Sequence, residues 1–330
     1  MPDPIEIEVT RGNAVESRHL VAFAVTDADG KLVLSGGDID QPDYPRSSVK
    51  AFQAIPLLES GAADTFGFDE ADIALACSSH NGEPRQIGAV ARMLSKAGVS
   101  ETALECGADW PIYKPAADAM IKAGQVPRPI HNPCSGKHAG MLAYARHNGM
   151  PLAGYVRPDH PVQQAVEQAL SAFCGVQASQ APRGIDGCSV PTWALPLRAT
   201  ALGFARLATG RGIGSGRAAA AARIIAAARA HPYMIAGTGR FDTDLMTAVP
   251  RVFVKSGAEG FLVASLPHAG LGIALKCLDG APCGSTIAMA VLLRKLPIWT
   301  ADEEACLANF ATRPVLSRKG EMVGEIRAAP

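Results

Sequence analysis

The chain has 330 residues, enough for one large domain or two intertwined ones with an ample core. Apolar residues make up 48% and charged residues 19%, a balance that fits a globular protein and excludes a disordered one. With 31 basic and 31 acidic residues the net charge is zero, so no electrostatic surplus drives binding to nucleic acid or to an anionic membrane.

In chain order, the start reads as strand. Ile5, Ile7 and Val9 alternate with Glu6, Glu8 and Thr10. His19 to Thr26 and Lys31 to Ser35 are β-rich runs joined by Asp27-Ala28-Asp29-Gly30, a hairpin signal because Asp and Gly tolerate positive φ. Tyr44-Pro45-Arg46 then opens a helix in which Val49, Phe52 and Ile55 share a face until Pro56. Ile73 to Cys77 reads as a short apolar strand or buried segment. Ile87, Val90 and Leu94 mark the helix after it. The middle is mostly helical, clearest near Val162–Phe173, Pro191–Ala208 and Arg217–Ala230. The glycine run Thr209 to Gly216 lacks a phosphate-binding pattern and reads as a connector. Strands return at Arg251–Lys255, Gly260–Leu266 and Gly272–Cys277, and Ser285 to Leu296 is an amphipathic helix. Strands at both ends with helices between predict an α+β fold: one antiparallel sheet built from both termini, flanked by helices, beside a central helical lobe. The expected division is a sheet lobe of about 1–60 plus 245–312, a helical lobe of about 61–244, and a surface tail at 313–330. The site is expected in the groove between lobes.

No apolar run is long enough to span a bilayer, and the N-terminus lacks a basic–apolar leader pattern, which predicts a cytoplasmic protein. The eight cysteines follow no disulfide rhythm and are expected as thiols.

Two strings carry the chemistry. Ser47-Ser48-Val49-Lys50 is S-x-x-K, and Lys255-Ser256-Gly257 is K-[ST]-G; in this order they are the outer motifs of serine acyl-transfer enzymes that use lysine as base. Residues three apart share a helix face, so Ser47 and Lys50 are expected to meet. A hydroxyl needs a neutral base, and lysine near its ordinary pKa of ~10.4 is almost wholly charged at pH 7. Burial and a second cation both lower it, and Lys255 is the expected second cation. The N–H groups of Ser47 and Ala258 are candidate oxyanion donors. Cys134, Lys137, His138 and Cys188 form a second constellation. From spacing alone, zinc at Cys134, Cys188 and one or two of His131 and His138 is expected, since thiolate and imidazole suit that ion. Arg46 is a candidate partner for a substrate carboxylate and Asp186 for an ammonium. The other cysteines have no comparable neighbours in sequence and read as core or surface thiols.

Four blocks give the chain a specific likeness. Tyr44-Pro45-Arg46-Ser47-Ser48-Val49-Lys50, Cys77-Ser78-Ser79-His80-Asn81-Gly82-Glu83, His131-Asn132-Pro133-Cys134-Ser135-Gly136-Lys137-His138 and Gly184-Ile185-Asp186-Gly187-Cys188-Ser189 resemble the Rhizobium etli-type (class 3) L-asparaginases. The resemblance implies the fold of serine β-lactamases, penicillin-binding proteins and serine glutaminases, and hydrolysis of L-asparagine to L-aspartate and ammonia. It implies two Ser–Lys tandems, Ser47 with Lys50 and Ser79 with Lys255. It implies one Zn2+ on Cys134, Lys137 and Cys188, with His138 left as a substrate contact, and a homodimer. Ser79 stands where the wider superfamily has Ser-Asp-Asn or Tyr-x-Asn, which weakens a β-lactam-directed reading. The alternatives are a glutaminase or other amidase on the same scaffold, a β-lactamase or DD-peptidase, and a non-catalytic zinc-stabilised binding protein.

Overall fold

The computed structural model describes residues 2–330. Its centre is an eight-stranded antiparallel sheet in the spatial order Thr312–Leu316, Met322–Ala328, Ile5–Arg11, Ala14–Asp27, Leu271–Cys277, Phe261–Leu266 and Phe253–Ser256, with Leu32–Gly36 also paired to Ala14–Asp27. The two ends of the chain thus build one sheet, as expected. Val21 to Thr26 are buried without alternation, so both faces of this central strand are covered. The helices Leu197–Thr209 and Pro282–Arg294 supply that cover.

The helical part packs around Lys50–Glu59, which meets Pro161–Cys174, Ser135–His147 and Ser215–Ala230. Phe52 stacks on Phe173 with ring centroids 4.9 Å apart and meets Phe204 at 4.7 Å, tying this helix to two neighbours. Among the described residues no helix is long and apolar enough to cross a membrane.

Three sequence expectations change. Ile73 to Cys77 is not a strand; Glu70–Ala76 is a helix whose Asp69 cap accepts the Asp72 N–H at 2.8 Å, and Ile73 to Ala76 are buried all round. Local capping outweighed a short apolar run that has no period of its own. Pro191–Ala208 is helical only from Leu197. Pro191–Trp193 pairs with Arg183–Ile185, and Leu195–Pro196 with Pro42–Asp43. Pro196 keeps the residue before it extended, which fixes the helix start. The segment 313–330 is not a tail. It forms strand Met322–Ala328, paired to Ile5–Arg11, and most of the outermost strand Thr312–Leu316. Its mixed residues, with apolar Met322 exposed and the others mostly half-buried, carry no clear alternation, but Ile326 is buried against the sheet. Replacing Ile326 with alanine is expected to cost about 2–5 kcal/mol in urea unfolding; an unchanged midpoint would return this segment to the role of a loose tail.

Candidate active site

Pro45 precedes a tight 3-10 turn, Arg46–Val49, which runs directly into the helix starting at Lys50. Ser47 sits half-buried in that turn. Arg46 adopts φ +51°, an unusual conformation for a side-chain-bearing residue. Its guanidinium is held by Asp186, with Nε 2.7 Å and a terminal nitrogen 2.6 Å from Oδ1. Ser189, beside Cys188, also has positive φ at 73°. Both left-handed residues flank the predicted site residues, where backbone strain tends to gather.

Lys255 arrives on the strand Phe253–Ser256. The turn after it presses onto the Ser47 turn: a Cβ on Gly257 would lie 2.6 Å from the Pro45 carbonyl oxygen and 2.6 Å from Ser48 Oγ. Only glycine allows that approach. Ala258 is half-buried in this turn, and among the described residues its N–H makes no hydrogen bond, leaving it free to act as an oxyanion donor.

Ser79 is pinned by its N–H to the Ile235 carbonyl at 2.9 Å, and the next residue, His80, by its N–H to Pro133 at 3.0 Å. Ser79 Oγ then lies 2.9 Å from Lys50 Nζ and 3.1 Å from Lys255 Nζ. Both lysines are fully buried. Lys50 also donates to the Ser78 carbonyl at 2.5 Å and to Cys134 Sγ at 3.1 Å. The Lys50 N–H donates to the Ser47 carbonyl in this turn, but among the described residues no hydrogen bond joins the Ser47 hydroxyl to the Lys50 amine. The expected Ser79–Lys255 pair is present; the expected Ser47–Lys50 pair is replaced by a Lys50–Ser79 contact, because the Lys50 stem turns inward and spends its three N–H donors on Ser78, Ser79 and Cys134.

Burial pushes Lys255 down to about 8; buried Asp242 opposes this, and Lys50 and Arg240 add to it. Asp242 Oδ2 lies 3.6 Å from Lys255 Nζ and accepts the Ser256 hydroxyl (2.6–2.7 Å) and N–H (3.0 Å), so it locks the strand end that aims Lys255. Sequence reading missed Asp242. Its local signal is weak: it is one of two carboxylates, with Asp244, on the first turn of the helix Phe241–Ala248.

The cysteine cluster adjoins this line. Cys134 follows Asn132, whose Oδ1 accepts the Cys134 N–H at 2.8 Å, and begins the helix Ser135–His147. Lys137, one turn on and buried, donates to Cys188 Sγ at 3.0 Å. A hydrogen bond from Cys188 holds Cys134 far below the ordinary thiol range, with Lys50 and Lys137 assisting. The same bond pushes Cys188 up. Burial works against the charge on Lys137, but the neighbouring sulfurs outweigh it and push its pKa up. The structure therefore gathers Cys134, Lys137 and Cys188 at one point: two adjacent sulfurs and an amine, a donor set that fits zinc once the metal displaces the thiol and ammonium protons.

The histidines are placed otherwise. His138 is fully buried, its Nδ1 2.5 Å from the Tyr155 hydroxyl, and burial holds it neutral, its pKa well below the ordinary histidine range. Its Nε2 is buried without a partner. His131 Nδ1 accepts the Arg128 N–H at 2.9 Å and caps a local turn. The thiols of Cys77, Cys106, Cys174 and Cys277 are pushed up to about 12 by burial, so each keeps its proton in the metal-free protein.

No curated protein matches the chain. Among solved structures the chain is similar to a β-lactamase from Mycobacterium bovis at 12% identity and TM-score 0.42, covering 88% of this chain and 95% of that one. It is also similar to a mutant simvastatin synthase from Aspergillus terreus at 9% identity and TM-score 0.33, covering 78% and 86%. Scores this low carry no inference about chemistry. The L-asparaginase II family, by contrast, matches residues 7–328, nearly the whole length. The chain belongs to the L-asparaginase II family and is an asparaginase-type amidohydrolase.

Proposed function

We propose that the protein hydrolyses L-asparagine to L-aspartate and ammonia through an ester on Ser47. The observation that carries the mechanism is Ser79 Oγ standing between two buried lysines, one of them with its pKa near 8. When Lys255 is neutral, Ser79 donates its O–H to it and accepts from Lys50. Passage of a proton along that line leaves the neutral amine on Lys50. Lys50 then turns from Cys134 to Ser47, one helical turn back, and takes its proton as Oγ attacks the side-chain amide carbon. The N–H groups of Ala258 and Ser47 receive the oxyanion. The departing ammonia takes its proton from the Lys50–Ser79–Lys255 line, and water cleaves the ester by the reverse route. Ser47 is favoured as nucleophile because it is half-buried and borders the Arg46–Asp186 pair, whereas Ser79 is only 8% exposed. The substrate's α-carboxylate and α-ammonium would meet the two ends of that ion pair. A second reading, with Ser79 as nucleophile, is favoured by its two lysine contacts.

Cys134, Lys137 and Cys188 would hold one zinc ion beside this line, where it would fix those side chains and offer an open coordination position to orient substrate. Replacing Cys188 with serine is expected to remove one equivalent of zinc per chain by elemental analysis; unchanged zinc content would dissolve this site.

Ammonia release measured with asparagine and glutamine side by side tests the substrate. One methylene separates them, a difference of about 1–3 kcal/mol in a fitted pocket, so a 10- to 200-fold preference for asparagine is expected. Faster turnover of glutamine would make the protein a glutaminase, and efficient hydrolysis of a chromogenic cephalosporin would make it a β-lactamase.

A further inference from the structure

A second group of metal-ligand side chains lies outside the catalytic line. His19 is on the central strand Ala14–Asp27, and Cys277 ends the neighbouring strand Leu271–Cys277. The register that pairs Val21 with Cys277 continues through the Leu278 N–H to the Leu20 carbonyl at 2.9 Å, which brings Asp279 opposite His19. His19 Nδ1 lies 2.6 Å from Asp279 Oδ2, and Cys277 Sγ lies 3.0 Å from Asp279 Oδ1. The imidazole nitrogen, the thiol sulfur and a carboxylate oxygen all fall within 4.8 Å of one another. Cys283, at the start of the helix Pro282–Arg294, puts a second sulfur 3.7 Å from His19 Nε2. Gly284 lets that helix begin so close: a Cβ there would lie 2.6 Å from Cys277 Sγ and 3.1 Å from His19 Cβ.

We propose that His19, Cys277 and Asp279 form a second site for a divalent transition-metal ion of the zinc class. Nitrogen, sulfur and oxygen donors together select such an ion over magnesium or calcium, which prefer oxygen alone. Three protein donors leave one tetrahedral position for water. Access is open on one side, since the Asp279 side chain is 48% exposed and that of His19 is 13% exposed. Binding forms a sulfur–metal bond, breaks the Cys277 S–H bond and releases that proton to solvent, with no change of oxidation state.

The test is a titration of the full-length protein with cobalt(II), read by the thiolate-to-metal absorption band. Because the Cys134 cluster would also bind cobalt, the measurement is made on Cys188→Ser and repeated with His19→Ala or Asp279→Asn added. The Cys188→Ser protein is expected to keep a thiolate band, and either addition is expected to weaken cobalt affinity by about tenfold or more. Asp279→Asn changes an exposed side chain by one atom, so the test does not hinge on how well His19→Ala folds. Absence of the band from Cys188→Ser, or its persistence at equal affinity in Asp279→Asn and His19→Ala, overturns the proposal. Neither result bears on whether asparagine is hydrolysed.

Discussion

Replacement of Lys255 by methionine will lower kcat for asparagine by about 10²- to 10⁴-fold, the range expected when a positioned proton acceptor is lost. The reason is the one neutral amine that the two lysines share across Ser79. With its pKa pushed down to about 8 by burial, roughly a tenth of Lys255 is neutral at pH 7. An acceptor works only after losing its proton, so the fraction in working form rises as pH rises and levels off above the pKa. The wild-type kcat/KM should therefore climb about tenfold per pH unit below 8 and flatten above it. Lys255→Met should abolish that limb along with the rate. Lys255→Arg should do the same, because arginine keeps the charge beside Asp242 but does not deprotonate. An arginine variant that retained both rate and limb would show that Lys255 serves only as the ion-pair partner of Asp242.

The second large effect falls on the serines. Ser47→Ala is expected to lose about 10⁴- to 10⁶-fold in kcat, the scale of losing a nucleophile. Ser79→Ala should lose less, about 10²- to 10⁴-fold, because Lys50 and Lys255 remain but the hydroxyl that passes the proton between them is gone. The double variant should be little worse than Ser47→Ala alone, since groups that act as a unit are not additive. Steady-state ammonia release checks all three. A Ser47→Ala protein within tenfold of wild type would move the ester to Ser79.

Much of this molecule could be read from its residues, and the failures have physical causes. Hairpin chemistry at Asp27 to Gly30, the alternation of Ile5, Ile7 and Val9, and the short β-rich runs late in the chain carried the sheet. The middle helices followed from their 3.6-residue period. The last two strands were missed because their residues show no clear apolar alternation: Leu316 and Met322 face solvent, and Ile326 is the one buried residue of the pair. At the site, residue types were legible and partnerships only partly so. Lys50 and Ser79 are 29 positions apart, and their contact depends on where the Ser78–Ser79 loop is pinned by Ile235. Arg46 and Asp186 were each expected to bind substrate alone, yet they bind each other over 140 positions. Cys277 and Cys283 read as ordinary thiols because His19, their neighbour in space, lies near the other end of the chain. Local sequence reports chemistry and capping; the fold alone reports which distant side chains share a proton.

The proposed reaction requires an aspartyl ester that forms on Ser47 and is cleaved by water. It is tested most directly by mixing enzyme with asparagine, quenching in acid within one turnover, and mapping the peptides by mass spectrometry. The predicted result is an added aspartyl mass on the peptide carrying Ser47, absent from Ser47→Ala. An aspartyl mass on the Ser79 peptide, or ammonia released in a burst with no ester on either serine, would contradict it.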